Sequence, residues 1–136
     1  MIAQNLSPNQ RVLFDIPSTW GGSIGGIVNT TVSAGSEFVL PFSGLYRVTC
    51  TLYINSNNAN AFALFSSLGS FVENGTYGMQ NVAGGVPVTF VSIYLCSSAG
   101  TESLSIRNPG VSNTTMFSPG IGDKTCEITI QYIGPA

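Results

Sequence analysis

The segment from Leu45 to Ile54 alternates between two sets of residues at a period of two, which puts successive side chains on opposite faces of a β-strand. Glycine and proline recur along the chain at intervals too short for helices. The segments between them are rich in valine, isoleucine, threonine, tyrosine and phenylalanine. The sequence therefore predicts an all-β chain with little or no helix.

The same pattern predicts further strands separated by short turns. They are Arg11 to Ile16, Ile27 to Val32, Phe38 to Pro41, Ala61 to Ser67, Phe71 to Tyr77, Val86 to Cys96, Ser103 to Arg107 and Cys126 to Ile133. A turn at Asn74 and Gly75 is expected to interrupt one of them. About eight to ten short antiparallel strands indicate a single β-sandwich domain over residues 1–136, of the jelly-roll or immunoglobulin type. Residues 1–10 are expected to form a flexible or assembly-contacting arm.

Charge restricts the partners of this chain. Charged residues make up 7% of the sequence, with 4 Lys+Arg and 6 Asp+Glu, against about 25% in a typical soluble domain. Uncharged polar residues, or other subunits, must therefore cover the surface. The scattered cations argue against nucleic-acid binding, and no apolar run approaches the roughly 20 residues of a membrane helix. No secretory signal is visible.

The side chains most used in catalysis are scarce. Histidine is absent and the carboxylates are dispersed, so we expect no enzyme activity, no metal and no cofactor. Cys50, Cys96 and Cys126 each lie within an apolar, strand-like segment. The sequence favours buried free thiols, with a Cys50–Cys96 or Cys96–Cys126 disulfide as the alternatives.

The segment from Val86 to Cys96 is apolar on both faces, which requires that both be covered. One face carries Val88, Phe90 and Tyr94, and the other carries Val91, Ile93 and Leu95. One face can meet the core and the other a second subunit. Phe90, Tyr94 and Tyr132 are predicted to form a subunit interface, and the alternative is that they are ordinary core aromatics.

The stretch GSEFVLPFSGLYRVTCTLYI contains an aromatic residue, a proline, a glycine and a tyrosine at Phe38, Pro41, Gly44 and Tyr46. This spacing resembles the signature of the globular head of the complement q-subunit and tumour necrosis factor families. The resemblance implies a jelly roll that assembles as a homotrimer through apolar and aromatic residues. That family usually has a Gly-Asp pair after its late hydrophobic strand, whereas this chain reads Ala99-Gly100-Thr101-Glu102 there.

A virion structural protein, such as a capsid, vertex, spike-head or decoration subunit, fits these features best. Such proteins are assembled in the host cytoplasm, and many are small charge-poor jelly rolls. We expect a homo-oligomer, with a trimer favoured and a pentamer possible, that contacts other virion proteins.

The alternative hypothesis is an extracellular or surface-displayed recognition head that binds a receptor or glycan through its loops. Trp20, Asn57, Asn58 and Met116 lie on predicted loops and are the candidate contact residues.

Overall fold

A computed structural model of the chain describes residues 4–14, 28–32, 35–56, 60–79, 82–110, 114–116 and 126–136. Within these ranges the regular structure is entirely β-strand, which confirms the all-β prediction. The ten strands are β1 (Gln4–Leu6), β2 (Val28–Val32), β3 (Gly35–Val39), β4 (Gly44–Ser56), β5 (Asn60–Ser66), β6 (Ser70–Met79), β7 (Val82–Cys96), β8 (Ser103–Arg107), β9 (Thr114–Met116) and β10 (Cys126–Gly134).

The strands form two antiparallel sheets. In sheet A, β4 lies between β7 and β10, and β9 pairs with β1 and with the end of β4. Sheet B has the order β2-β3-β8-β5-β6. The pairs β5–β6, β4–β7 and β3–β8 are nested, each enclosing the previous one along the chain. An eight-stranded jelly roll contains four such nested pairs, whereas three are seen in the described part of the chain. The structure is a sandwich of two antiparallel sheets, and the jelly-roll topology remains a prediction.

The core lies between the two sheets, because alternate residues of each strand point inward. Fully buried side chains from sheet A meet fully buried side chains from sheet B in one cluster. They include Tyr46, Val48, Cys50 and Leu52 of β4, Phe62 and Leu64 of β5, and Leu104 and Ile106 of β8. Each large apolar side chain contributes about 1.5–3 kcal/mol on burial.

Of the two alternatives for the arm over residues 1–10, flexible or assembly-contacting, the structure contradicts the flexible one for residues 4–10, and the assembly contact stays a prediction. Strand β1 pairs with β9, and the buried Leu6 accepts a hydrogen bond at its carbonyl from Asn108 Nδ2 at 3.1 Å. Farther along, the Val12 amide donates to the Ile106 carbonyl at 2.8 Å. A three-residue strand is too short to show a period-two pattern, so the sequence could not reveal it.

The predicted turn at Asn74 and Gly75 is also wrong, because β6 runs through both residues. Its pairing with β5 shifts register between Ala63 and Phe65, which leaves extra residues on β6 opposite Leu64. A β-bulge of this kind accommodates a glycine inside a strand without reversing the chain.

Candidate assembly surface

Strand β7 presents different residues to the core and to solvent. Phe90, Ser92, Tyr94 and Cys96 point inward and are buried. Their neighbours Val91, Ile93 and Leu95 point outward, and each keeps at least half of its surface exposed. We call these three residues the β7 stripe.

The prediction that Phe90 and Tyr94 form a subunit interface is therefore wrong, because their side chains are only 1% and 7% exposed within a single chain. They are core aromatics, and contact with another subunit would require the sandwich to open. Tyr132 differs, since it remains 37% exposed. The alternation in the sequence correctly divides β7 into two faces, but the face predicted to meet a second subunit is the one that faces the core.

The hydroxyl of Tyr94 is satisfied inside the chain. It donates to Glu102 Oε2 at 2.7 Å and lies 2.9 Å from Ser66 Oγ. Burial raises the pKa of Tyr94 to about 12. This network leaves Tyr94 facing the core at both its ring and its polar end.

Glu102 is itself 2% exposed and anchors the connection between β7 and β8. Its Oε1 atom accepts hydrogen bonds from Ser97 N at 3.1 Å, Ser97 Oγ at 2.7 Å and Ser98 N at 3.1 Å. Burial raises the pKa of Glu102, but the bonds from Tyr94 and Ser97 lower it more, so the net pKa lies below the usual value. The buried carboxylate therefore stays ionised at neutral pH.

The signature residues build the corner where β4 begins. Phe38 and Tyr46 are buried, and the Tyr46 hydroxyl accepts from Phe42 N and donates to Phe42 O, both at 2.9 Å. Pro41 lies in the short connection after β3. Gly44 has φ +135°, and a Cβ there would collide with the Gly134 carbonyl oxygen. Only glycine fits this corner.

Tyr132 packs beside this corner at the surface. Its ring lies 5.2 Å from that of Tyr46 and 5.3 Å from that of Phe42, centroid to centroid. Its hydroxyl donates to Ser43 O at 3.1 Å. Phe42 is about half exposed, so the rings of Phe42, Tyr46 and Tyr132 cover the end of the sandwich on the core side of sheet A.

The β7 stripe belongs to a wider apolar surface on the outer face of sheet A. Leu45 pairs with Leu95 on one side and with Gly134 on the other, which connects the β7 stripe to Ile133. Tyr132 pairs with the inward-facing Tyr46, so Tyr132 and Phe42 lie on the core side of the sheet and not on this face. Among the described residues, four of the eight exposed large hydrophobic side chains belong to the outer face. We call this set the sheet A patch: Val91, Ile93, Leu95 and Ile133.

The polar residues beside the patch are mostly uncharged. Thr51 Oγ1 and Thr89 Oγ1 lie 2.8 Å apart across β4 and β7. Arg47 Nη2 donates to Gln131 Oε1 at 2.7 Å, and the exposed Glu127 lies four residues before Gln131 on the same face of β10. Among the described side chains, this one cation and one anion leave the face without a strong charge of either sign.

The remaining predicted contact residues lie elsewhere. Trp20, Asn57 and Asn58 are outside the described residues. Met116 was expected on a loop, but it ends β9 and pairs with Gln4 and Ile54, so the loop placement is wrong. As with β1, three residues are too few for alternation to mark a strand.

The thiols and acidic groups form no candidate site in the part of the chain that the structure describes. Cys50, Cys96 and Cys126 are buried thiols, as the sequence favours, and Cys126 Sγ donates to the Leu13 carbonyl at 3.4 Å. Burial raises the pKa of Cys50 and of Cys96, which keeps both thiols protonated. No group of three or more Cys, Asp or Glu that could hold a metal ion occurs in these ranges.

No helix long and apolar enough to cross a membrane occurs among the residues described. No protein-family model matches the chain, and a search of curated proteins finds no significant match. The geometry of the sheet A patch is thus the main guide to function.

Proposed function

We propose that this chain is a non-enzymatic structural subunit of a virus or bacteriophage particle that self-associates through the sheet A patch. The supporting observation is the β7 stripe, in which three aliphatic side chains stand exposed in a row. Contiguous apolar surface on a soluble protein marks an interaction site. The low content of charged residues fits a subunit whose neighbours cover much of its surface.

A second copy of the chain is the occupant that the charges favour. The face carries Arg47 and Glu127, which have opposite signs, so two copies can meet without placing like charges together. The resemblance of the segment around Gly44 to trimeric heads favours a trimer, and a pentamer is the alternative.

The experiment is the mass of the purified protein in solution by light scattering after size exclusion. We expect about three times 14.2 kDa for the native chain, and the monomer mass for Ile93→Asp. Leu68→Asp is the matched control, because Leu68 is exposed on the β5–β6 turn, and it should keep the native mass. A native chain that stays monomeric at high concentration, or an Ile93→Asp variant that still assembles, contradicts the proposal.

A second candidate function is a recognition head that binds a glycan or receptor, as a spike subunit does. The observation that favours it is a cluster of arginine and phenylalanine side chains on the opposite sheet. Binding there and assembly through sheet A are compatible in one molecule.

A further inference from the structure

The outer face of sheet B carries a cluster that the assembly surface does not use. It combines two arginines, one glutamate and two phenylalanines from the N-terminal segment and four strands. Its members are Arg11, Glu37 of β3, Arg107 of β8, Phe65 of β5 and Phe71 of β6.

The two arginines converge on one carboxylate oxygen. Arg11 Nη1 lies 2.6 Å from Glu37 Oε1, and Arg107 Nη2 lies 3.9 Å from the same atom. Burial lowers the pKa of Arg107, and the positive charge of Arg11 lowers it further. Among the described side chains of this cluster, two cations face one anion, and this excess of positive charge favours a further anion from outside.

The position of Arg107 is set by its neighbours. Its guanidinium lies 3.8 Å from the centroid of the Phe65 ring, Nε donates to Ser105 Oγ at 3.1 Å, and Nη1 donates to Asn9 Oδ1 at 3.4 Å. A guanidinium held against an aromatic ring loses little further freedom when it binds a carboxylate.

An exposed aromatic ring lies on the other side of Phe65 from this cation. Phe71 pairs with Phe65 across the strands, with ring centroids 5.1 Å apart in an edge-on arrangement, and is 41% exposed. Because β5 lies between β8 and β6, Arg107 and Phe71 are two strand spacings apart, about 10 Å. This face therefore offers a ligand of more than one ring a charged contact and an apolar contact.

We propose that this cluster binds an acidic saccharide. The carboxylate of one sugar would pair with the guanidinium groups, and an apolar face of a neighbouring sugar of the same saccharide would pack on Phe71. A long polyanion fits less well, because the chain has a net charge of −2 and only 4 Lys+Arg to meet it. The inference goes beyond the proposed assembly, since it uses the other sheet.

The test is a titration of the native protein with sialyllactose, followed by NMR, with lactose as the neutral probe. We expect saturable binding of sialyllactose with a millimolar Kd, and no saturation with lactose. Phe71→Ala and Arg11→Gln should each weaken binding at least tenfold. Leu68→Ala on the same hairpin is the matched control and should bind as the native chain does.

An equal response to both sugars, or no saturation with sialyllactose, overturns the proposal. If Arg11→Gln fails to fold, Phe71→Ala still decides, because it alters an exposed side chain at the edge of sheet B. The solution mass is measured in parallel. Loss of binding with an unchanged mass separates this site from the assembly surface.

Discussion

The outer faces of the two sheets follow the same alternation but present opposite chemistry. On sheet A the three residues of the β7 stripe are aliphatic and uncharged. On sheet B the outward residues Glu37, Phe65 and Arg107 are linked by an ion pair and a cation–π contact. The strand pattern decides which side chains point outward. Their chemistry decides whether they bind one another, as on sheet B, or stay exposed as apolar surface that a partner can cover, as on sheet A.

The largest expected difference in stability is between substitutions at two glycines with positive φ, one at the start of β4 in sheet A and one on the turn between β5 and β6 of sheet B. Gly44→Ala should destabilise the fold by about 3–5 kcal/mol, because the new Cβ meets the Gly134 carbonyl oxygen and the Tyr132 ring in a strained backbone conformation. Gly69, on the β5–β6 turn, has φ +89° with nothing within 4 Å, so Gly69→Ala should cost only about 1–2 kcal/mol. Denaturant unfolding measures both, and equal losses would contradict the steric argument.

The next effect concerns Glu102, in the connection between β7 of sheet A and β8 of sheet B. Glu102→Gln should cost about 1–3 kcal/mol, because an amide cannot accept all of the bonds that the carboxylate accepts. Unfolding at neutral pH measures this loss. Glu127→Gln, at an exposed position, is the control and should change stability by less than about 0.5 kcal/mol.

Acid should weaken the same connection. The folded-state pKa of Glu102 is lowered, so its stabilisation is complete above the unfolded-state pKa of about 4.3 and is lost as the pH falls through the folded-state pKa. The native chain should therefore lose stability on acidification more steeply than Glu102→Gln. Parallel acid limbs in the two proteins would show that another group carries the effect.

A smaller loss of stability is expected when one arginine from each sheet is replaced by lysine. Arg107→Lys should cost about 1 kcal/mol, because an ammonium group cannot lie flat on Phe65 while it donates to Ser105. Arg47 is exposed on the outer face of sheet A, so Arg47→Lys should change the free energy of unfolding by less than about 0.5 kcal/mol. Thermal unfolding of both variants distinguishes a packed cation from a solvated one.

The smallest effect on stability is expected for a substitution that extends the β7 stripe by one apolar residue. Thr89→Val removes one exposed hydroxyl contact with Thr51 but places a β-branched apolar residue next to Val91, so stability should change by less than about 0.5 kcal/mol. Self-association should tighten instead. Light scattering over a concentration series measures this, and weaker association after Thr89→Val would argue against assembly through the stripe.

Much of the fold could be predicted from the sequence. Strand β8 has the predicted bounds, and the inward residues of β4 are those that the alternation indicates. The short strands β1 and β9 could not be found, because three residues carry no period.

The orientation of β7 was within reach of the sequence. Cys96 was expected to be buried, and Phe90 and Tyr94 share its parity along the strand, so all three had to face the core together. The cluster on sheet B was not within reach, since Arg11, Glu37 and Arg107 come together only through strand pairing between distant segments.

The central position of β4 affects how the protein is made. Val48 pairs with Ser92 of β7 on one side and with Ile130 of β10 on the other. Because synthesis adds about 5–20 residues per second, β4 waits on the order of seconds on the ribosome for its second neighbour. During that interval its free edge can pair with other nascent chains. Coexpression with chaperones should therefore raise the soluble yield more than stabilising the finished fold.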